Sequence, residues 1–328
     1  MRTKVLALCL AAALTAAWAL SARAAEPPLR VIFTTHSSPS NPFWQSVKNG
    51  FDDACHRVEA ECQLLFTQTE GSIPDEIANI EAAIARHPNV LLTTLPDNNA
   101  FVGVLKEAKA KHIIVIADNV DATAGPELAL RASFIGQNFI PAGYNLAQYV
   151  ATEFPKTGPI KILIGVSAPG QNWSEQRAEG IQKYLAEYKK AHPDQSVTWK
   201  RMDSGTDLAV TAARVGAYLN AHPDTTAYFD TGLWEAGVAQ SLKNHGVKPG
   251  KILLGGFDLV PAVLTMMKAG YIQAAVDQQP YTQGFLGVMQ AYLMTRFKLG
   301  AWSVNTGDNL VTPANVDAVI ALSKEHLR

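Results

Sequence analysis

Short polar segments that follow apolar runs carry most of the side chains in this 328-residue sequence that could do chemistry. Planar amides and carboxylates each offer two polar atoms that can pair with adjacent hydroxyl groups, while aromatic rings cover apolar C–H faces. This combination indicates a binding site for a small polyhydroxylated molecule, and such a site needs no cofactor and no metal. The residues are Asn41, Phe43, Trp44, Asp97, Asp118, Asn119, Gln137, Asn138, Asn172, Trp173, Asp230, Trp234, Asp258 and Gln278. Among them, Asp97 and Asp230 are the ones that we expect to act only as turn or cap residues.

No set of side chains typical of catalysis stands out in the sequence. Residues 165–170, GVSAPG, are similar to a nucleophile elbow, but Pro169 occupies a position where that motif requires glycine. Dinucleotide-binding, Walker A, zinc-protease and Cys-x-x-Cys motifs do not occur. Three of the eight histidines precede proline and are interpreted as helix ends: His87, His192 and His222. His36 is interpreted as a polar lining residue of the site. A secreted hydrolase stays open as an alternative.

Apolar runs of strand length alternate with helical patterns of ten or more residues along the chain. This alternation predicts parallel sheets covered by helices on both faces. The predicted strands are residues 29–35, 63–67, 90–94, 113–117, 131–135, 160–166, 196–201, 226–229, 252–257 and 272–276, and nine helices follow them, from 42–57 to 280–298. Hydrophobic residues make up 48% of the chain and charged residues 17%, which is ordinary for two globular domains.

The chain also contains an internal duplication. Residues 31–51, VIFTTHSSPSNPFWQSVKNGF, parallel residues 162–181, ILIGVSAPGQNWSEQRAEGI, and two further matches follow in the same order. The last match pairs Asp118 with Asp258. The duplication predicts two similar doubly wound domains. Because ligands of such sheets lie beyond the carboxyl ends of the strands, two facing domains should pool their loops in one cleft, with Trp44 and Trp173 on opposite walls.

The first 24 residues are typical of a cleavable secretory signal. Two basic residues, Arg2 and Lys4, precede an apolar run over residues 5–20, and residues 22–24, ARA, fit the small-residue cleavage pattern. Cleavage would remove three of the 28 basic residues and leave 25 against 29 acidic residues. A mildly acidic chain argues against a nucleic-acid partner, and the signal predicts a periplasmic location.

Cys55 and Cys62 lie beyond the predicted signal. Seven residues apart on one continuous helix they would be about 10 Å apart, too far for a disulfide. A helix that ends near Arg57 and a strand that begins at Cys62 would instead let a turn bring them together. Both a disulfide and two buried thiols stay open.

Four segments resemble the type I periplasmic sugar-binding proteins, the ribose- and galactose-binding group that supplies ABC importers. They are NPFW (41–44), IGQNFIPAGYNLA (135–147), GGFD (255–258) and DQQPYTQG (277–284), and the similarity spans the whole mature chain. The resemblance implies two Rossmann-like domains joined by three hinge crossings. We expect residues 25–136 plus 279–308 in the first domain and residues 137–278 plus 309–328 in the second.

The resemblance also implies a set of ligand-binding residues on matching positions. They are Asn41, Phe43, Trp44, Asp118, Asn119, Asn138, Trp173, Arg177, Trp234, Asp258 and Gln278. Asp118 and Asp258 are expected to be the anchoring carboxylates, one from each domain. Asn119 stands where ribose-type members carry arginine, and DTGLW (230–234) replaces their usual Asn-Asp. These departures imply a less charged and more aromatic pocket.

The function that the resemblance implies is capture of a sugar or polyol in the periplasm by hinge closure, followed by delivery to an ABC permease. The protein is expected to act as a monomer, without a cofactor or metal and without enzymatic activity. A version of the same fold that signals to a membrane receptor stays open. The related transcriptional repressors begin with a helix-turn-helix, and here the signal segment and the acidic charge exclude them.

Overall fold

The computed structural model describes residues 27–307, 309–325 and 327. The predicted signal segment, residues 1–24, lies outside the described residues. Within these residues the chain forms twelve β-strands and ten α-helices, together with two short 3₁₀ helices.

The first sheet contains strands from the amino-terminal part of the chain and one short late strand. Its elements are β1 (Arg30–Thr34), α1 (Phe43–Arg57), β2 (Glu61–Leu65), α2 (Ile73–Ala85), β3 (Val90–Thr93), α3 (Val102–Ala110), β4 (Ile114–Asn119), β5 (Ser133–Gly136) and β11 (Val304–Asn305). The strand order is β2-β1-β3-β4-β5-β11, and all neighbours are parallel. The central strands are apolar and buried because helices cover both faces of the sheet.

The second sheet repeats this arrangement. Its elements are α4 (Phe139–Val150), β6 (Ile160–Val166), α5 (Asn172–Ala191), β7 (Val197–Asp203), α6 (Leu208–Ala221), β8 (Ala227–Asp230), α7 (Glu235–Asn244), β9 (Leu253–Phe257), α8 (Pro261–Lys268), β10 (Ala274–Asp277), β12 (Asn309–Val311) and α10 (Val316–Lys324). The strand order is β7-β6-β8-β9-β10-β12, and only β12 runs antiparallel in it. The same order of five parallel strands in both sheets confirms the duplication.

The chain passes between the two sheets three times. It crosses after β5, after β10 and between β11 and β12. Helix α9 (Pro280–Phe297) follows the second crossing and packs against α1. The predicted fold class, two doubly wound α/β domains joined by three crossings, is confirmed.

Glycine lets the helix that follows each site loop approach one neighbour closely. A Cβ on Gly50 of α1 would lie 1.9 Å from the carbonyl oxygen of Tyr281 in α9. A Cβ on Gly180 of α5 would lie 2.1 Å from the carbonyl oxygen of Ile140 in α4. A larger residue at either position would push the two helices apart and move the loop that precedes α1 or α5.

Two differences from the sequence-based elements bear on the site and on the second sheet. β4 continues beyond the predicted end at residue 117, so that Asp118 and Asn119 pair with Ile135 and Gly136 of β5. β11, β12 and α10 were not predicted. Strands of two and three residues are too short to show an alternation of apolar and polar side chains.

Cys55 and Cys62 form a disulfide bond, with their Cα atoms 6.2 Å apart. Helix α1 ends at Arg57 and β2 begins at Glu61, so the intervening turn brings the two cysteines together. Of the two alternatives that the sequence leaves open, the structure contains the disulfide.

Candidate ligand-binding cleft

A cavity lies between the carboxyl ends of the two sheets, where loops of both domains meet. The space in it that no protein atom fills, including the part open to solvent, is about 390 Å³. The lining residues come from both domains and from the second crossing: His36, Asn41, Phe43, Trp44, Glu70, Asn119, Val120, Phe139, Trp173, Arg177, Gly232, Leu233, Trp234, Asp258 and Gln278. Of the ligand-binding residues expected from the sequence, all except Asp118 and Asn138 lie in this lining.

Asp118 lies beneath the cavity instead of in its wall. Both residues face α9: Asn119 bonds Gln283 near the start of the helix, and Asp118 lies one turn further along, next to Gly287. The Asp118 carboxyl is fully buried and has no hydrogen-bond partner among the described residues. Its Oδ2 would lie 2.7 Å from a Cβ on Gly287 of α9, and burial raises the pKa of Asp118 well above its usual range. The expectation that Asp118 anchors the ligand is therefore not met in this structure.

Asn119 and Asp258 occupy corresponding positions at the ends of β4 and β9. Both have a left-handed backbone, with φ of 65° and 70°, which asparagine and aspartate adopt more readily than most residues. Both side chains line the cavity. The structural counterpart of Asp258 is thus Asn119, one residue beyond the Asp118 that the sequence match indicated.

Gln278, at the second crossing, links these two residues. Its Nε2 donates to Oδ1 of Asp258 (2.7 Å), and its Oε1 accepts from Nδ2 of Asn119 (3.3 Å). Asn119, Gln278 and Asp258 thus form a hydrogen-bonded row, and Gln283 accepts from the same Asn119 amide (3.0 Å). Burial raises the pKa of Asp258 to about 6, and the Arg177 guanidinium opposes the shift, so the carboxyl is mostly ionised at pH 7. The row connects the first domain, the crossing and the second domain along one side of the cavity.

The first loop is organised by the carboxylate of Glu70, which follows β2. Glu70 accepts hydrogen bonds from the Ser37 hydroxyl (2.7 and 2.8 Å), the Ser38 backbone N–H (2.8 Å) and the Asn41 amide (3.0 Å). The oxygen of the same Asn41 amide accepts from the N–H of Phe43 (3.1 Å), at the start of α1. Glu70 therefore holds Asn41 and the first turn of α1 at the cavity.

Aromatic rings of both domains meet across the cavity. The ring centroids of His36 and Trp44 are 5.9 Å apart, those of His36 and Trp173 are 6.4 Å apart, and those of Trp173 and Trp234 are 6.3 Å apart. Trp44 also packs edge-on against Phe33 at 5.8 Å. Burial lowers the pKa of His36 to about 4, although Glu70 opposes the shift, so His36 is neutral at pH 7. The tryptophans of the two duplicated loops thus share one cavity.

Arg177 organises the second domain's side of the cavity. Its guanidinium donates to the carbonyl oxygen of Thr231 (2.9 Å) and to Oε1 of Gln137 (3.0 Å). It also lies 4.0 Å from the ring centroid of Phe257, which is close enough for a cation–π contact. Burial lowers the pKa of Arg177 to about 10, and Asp258 opposes the shift, so the side chain remains a cation at pH 7.

Three other polar residues from the sequence set have local roles. Asn138 is exposed at the first crossing, where its backbone N–H donates to Oδ1 of Asn305 (3.0 Å). Asp97 accepts from two backbone N–H groups of its own loop, each at 2.8 Å. Asp230 accepts from the N–H of Gly232 (2.7 Å). Asp97 thus shapes its own turn as expected, whereas Asp230 also accepts from the hydroxyl of Ser167 (2.8 Å), which lies in the duplicated loop, so its role is wider than a turn.

Sequence reasoning missed five lining residues: Glu70, Val120, Phe139, Gly232 and Leu233. Glu70 follows β2, so the rule that ligands lie beyond the ends of parallel strands would have included its loop. Phe139 directly follows Asn138 in a segment that was singled out. Gly232 and Leu233 belong to the noted segment DTGLW (230–234), and Val120 directly follows Asn119, so each lines the cavity beside a residue that the sequence did indicate.

Two further observations concern metal sites and membrane-spanning helices in the described part of the chain. Within residues 27–307 and 309–325, no group of His, Cys, Asp and Glu side chains has an arrangement that could hold a metal ion. None of the helices in the same residues is both long and apolar enough to span a membrane.

Residues 31–299 match the family model described as "Periplasmic binding protein domain". The match covers most of the chain, and the two six-stranded parallel-type sheets agree with it. The chain therefore belongs to the periplasmic binding protein domain family, and this membership implies a periplasmic location.

Several named proteins are similar to this chain. The xylose/arabinose-binding protein XylF of Sulfolobus acidocaldarius is 27% identical over 91% of this chain and 75% of its own length. The D-ribose/D-allose-binding protein of Pseudomonas aeruginosa is 26% identical over 83% of this chain and 84% of its own. The crystal structure of an ABC transporter solute-binding protein from Burkholderia graminis, in complex with D-arabinose, is 25% identical. It has a TM-score of 0.77 over 88% of this chain and 96% of that one. By their names, the first two relatives bind sugars, and the third is an ABC transporter solute-binding protein with a sugar bound.

Proposed function

We propose that this protein is a periplasmic solute-binding protein that captures a neutral sugar or polyol and delivers it to an ABC permease. The observation that carries the proposal is the cavity itself. It is built by loops of two similar domains, with a row of amides and a carboxylate on one side and tryptophan rings from both domains. Paired amides and carboxylates suit adjacent hydroxyl groups, and ring faces suit the C–H surface of a sugar.

Binding is proposed to proceed by closure of residues 25–136 plus 279–308 against residues 137–278 plus 309–328. A ligand can stabilise the closed state only by the free energy of the contacts that it makes better in that state. The cavity meets this requirement, because Asn41, Trp44 and Asn119 would contact the ligand from one side and Trp173 and Asp258 from the other. The protein would act as a monomer and without enzymatic activity.

The charges in the cavity support a ligand without a net charge. Glu70 and Asp258 are the carboxylates of the lining, Arg177 is a cation, and His36 is neutral because burial lowers its pKa to about 4. The lining thus carries one more negative than positive charge when Asp258 is ionised. A sugar acid or sugar phosphate would bring further negative charge into a buried site, which is costly. The names of the relatives, which bind pentoses and hexoses, agree with a neutral monosaccharide.

The test is a thermal-shift screen of the mature protein, followed by calorimetric titration of each ligand that raises the melting temperature. The panel would contain D-xylose, L-arabinose, D-ribose, D-allose, D-galactose and myo-inositol, with D-glucuronate and ribose 5-phosphate as charged comparisons. A ligand at 100 times its Kd stabilises the folded state by about 2.7 kcal/mol. A shift with one or more neutral members supports the proposal. No shift with any neutral member, or hydrolysis of a glycoside, contradicts it.

Asp258→Asn tests the assigned site. The substitution keeps the shape and removes the carboxylate, and we expect binding to weaken by about 2 kcal/mol, the scale of one charge-assisted hydrogen bond. Because burial raises the pKa of Asp258 to about 6, wild-type affinity should also fall as the pH is lowered through 6, and the variant should lose that dependence. Asp52→Asn, on the exposed face of α1, is the control. Wild-type affinity in Asp258→Asn would contradict the assignment.

A further inference from the structure

The first turn of α5 contacts the first domain directly, outside the cavity lining. Nδ2 of Asn172 donates to the carbonyl oxygens of Leu95 (3.2 Å) and Asp121 (3.3 Å) and to Oδ1 of Asn98 (3.1 Å). The backbone N–H of Asn172 donates to the carbonyl oxygen of Pro96 (2.8 Å). All four acceptors belong to loops that follow β3 and β4 of the first sheet, so this residue of the second domain is docked on its partner domain.

Gln171 extends the same contact toward the cavity. Its Nε2 donates to the carbonyl oxygen of Gly71 in the first domain (2.9 Å), and its Oε1 accepts from Nε1 of Trp173 (2.8 Å). Gly71 directly follows Glu70, which organises the first loop. One amide therefore joins the backbone of the first domain to the indole of a cavity wall in the second domain.

The duplicated residue in the first domain has a different role. Asn41 corresponds to Asn172 in the sequence match, yet its amide bonds Glu70 and Phe43 of its own domain. The hydrogen bonds that the Asn172 amide donates among the described residues all go to the other domain. Its position is thus explained by contact between the domains and not by the stability of α5.

We propose that Gln171 and Asn172 form a closure latch, a set of protein–protein hydrogen bonds that exists only when the two domains meet and that favours the closed state whatever sugar is bound. This inference rests on the proposed function, because it assumes that ligand binding is coupled to closure. Asn172 is a positioning residue that does not touch the ligand. A substitution that destabilises the closed state without changing the ligand contacts lowers the affinity for every ligand by the same factor.

The experiment compares two sugars of different stereochemistry that bind the wild-type protein, taken from D-xylose, L-arabinose, D-ribose, D-allose and D-galactose. Their Kd values are measured by calorimetry for wild type, Asn172→Ala and Asn172→Asp. The aspartate variant keeps the size of the side chain and suits the first turn of a helix, but it cannot donate to the three acceptors. Gln182→Ala is the matched control, because it removes from α5 an amide that accepts from Arg201, a residue of the same domain. Melting temperatures without sugar show that each variant is folded.

We expect both Asn172 variants to raise the Kd of the two sugars by a common factor of about tenfold, and Gln182→Ala to leave both values unchanged. An unchanged Kd in Asn172→Ala overturns the latch. A change in the ratio of the two Kd values also overturns it, because that result places Asn172 in the cavity. Wild-type affinity in Asn172→Asp overturns the role of the donated hydrogen bonds. If wild type binds none of the sugars, the proposed function fails, and that result is distinct from a failure of the latch.

Discussion

The two duplicated loops have the same place in the fold but are held by different groups. The first, residues 36–44, folds around the carboxylate of Glu70, which accepts from Ser37, Ser38 and Asn41. The second, residues 167–173, is held within its own domain: the Ser167 hydroxyl donates to the Asp230 carboxyl (2.8 Å), and the N–H of Gly170 donates to the Glu175 carboxylate (2.9 Å). Duplication thus preserved the scaffold while the groups that set the loop conformation diverged.

The corresponding residues in the two loops also differ in what they contact. Trp44 packs against Phe33 in its own core, whereas Trp173 is hydrogen-bonded to Gln171, which reaches the other domain. Asn41 stabilises its own loop, whereas Asn172 bonds the first domain. A position shared by duplication therefore predicts where a residue lies better than it predicts what that residue does.

The largest expected effect is that of removing the cation of the second domain. Arg177→Met would leave the buried carbonyl oxygen of Thr231 without its donor and would remove the cation that stabilises the ionised Asp258 carboxylate. We expect the free energy of unfolding to fall by about 3 kcal/mol and sugar binding to be lost. Urea denaturation and calorimetry measure both. Arg201→Met is the control, since its partly exposed ion pair with Glu175 contributes little. Equal stability of the two variants would show that Arg177 does not organise the loop.

The aromatic wall of the second domain depends on a glycine. A Cβ on Gly232 would lie 2.0 Å from a ring atom of Trp234, so Gly232→Ala must displace the indole. We expect a loss of about 2 kcal/mol in the free energy of unfolding, together with weaker sugar binding. Gly216→Ala, where a Cβ would meet no atom within 4 Å, should instead be neutral or stabilising. Retained affinity in Gly232→Ala would remove Trp234 from the site.

Loss of the Glu70 carboxylate from the first loop should mainly weaken sugar binding. Glu70→Ala removes the acceptor for Ser37, Ser38 and Asn41, so we expect about tenfold weaker sugar affinity and faster amide hydrogen exchange over residues 37–43. Glu81→Ala, an exposed change on α2, is the control. Unchanged exchange in Glu70→Ala would mean that the loop keeps its conformation without the carboxylate.

The smallest effect on the free energy of unfolding is expected at Asp118, where the substitution should stabilise the protein instead of destabilising it. Its folded-state pKa is raised, so its contribution to stability is fully present below the unfolded pKa of about 4 and is lost as the pH rises through the folded pKa. Asp118→Asn should therefore be more stable than wild type by about 1 kcal/mol at pH 7 and equal to it below pH 4. Sugar affinity should not change, in contrast to Asp258→Asn. Thermal unfolding at several pH values is the measurement, and weaker binding would return Asp118 to the site.

Much of the site could be predicted because strand ends are visible in the sequence. Asn41, Trp44, Trp173 and Asp258 each follow an apolar strand and lie just before the next helix or in its first turn, and parallel sheets place such residues at one edge. The error at Asp118 has a simple cause. The sequence match aligned two aspartates, whereas the ends of β4 and β9 align Asn119 with Asp258, so the match was shifted by one residue.

The sequence by itself determined the class of fold, the duplication and the kind of ligand chemistry, because hydrophobic periodicity and residue types act locally. Only the tertiary structure decided that Asn119 and not Asp118 reaches the cavity, that Glu70 and Arg177 organise its two sides, and that Asn172 bonds the opposite domain. Those outcomes depend on strand register and on contacts between residues far apart in the chain. Such contacts form only when both sheets are assembled, so no local pattern encodes them.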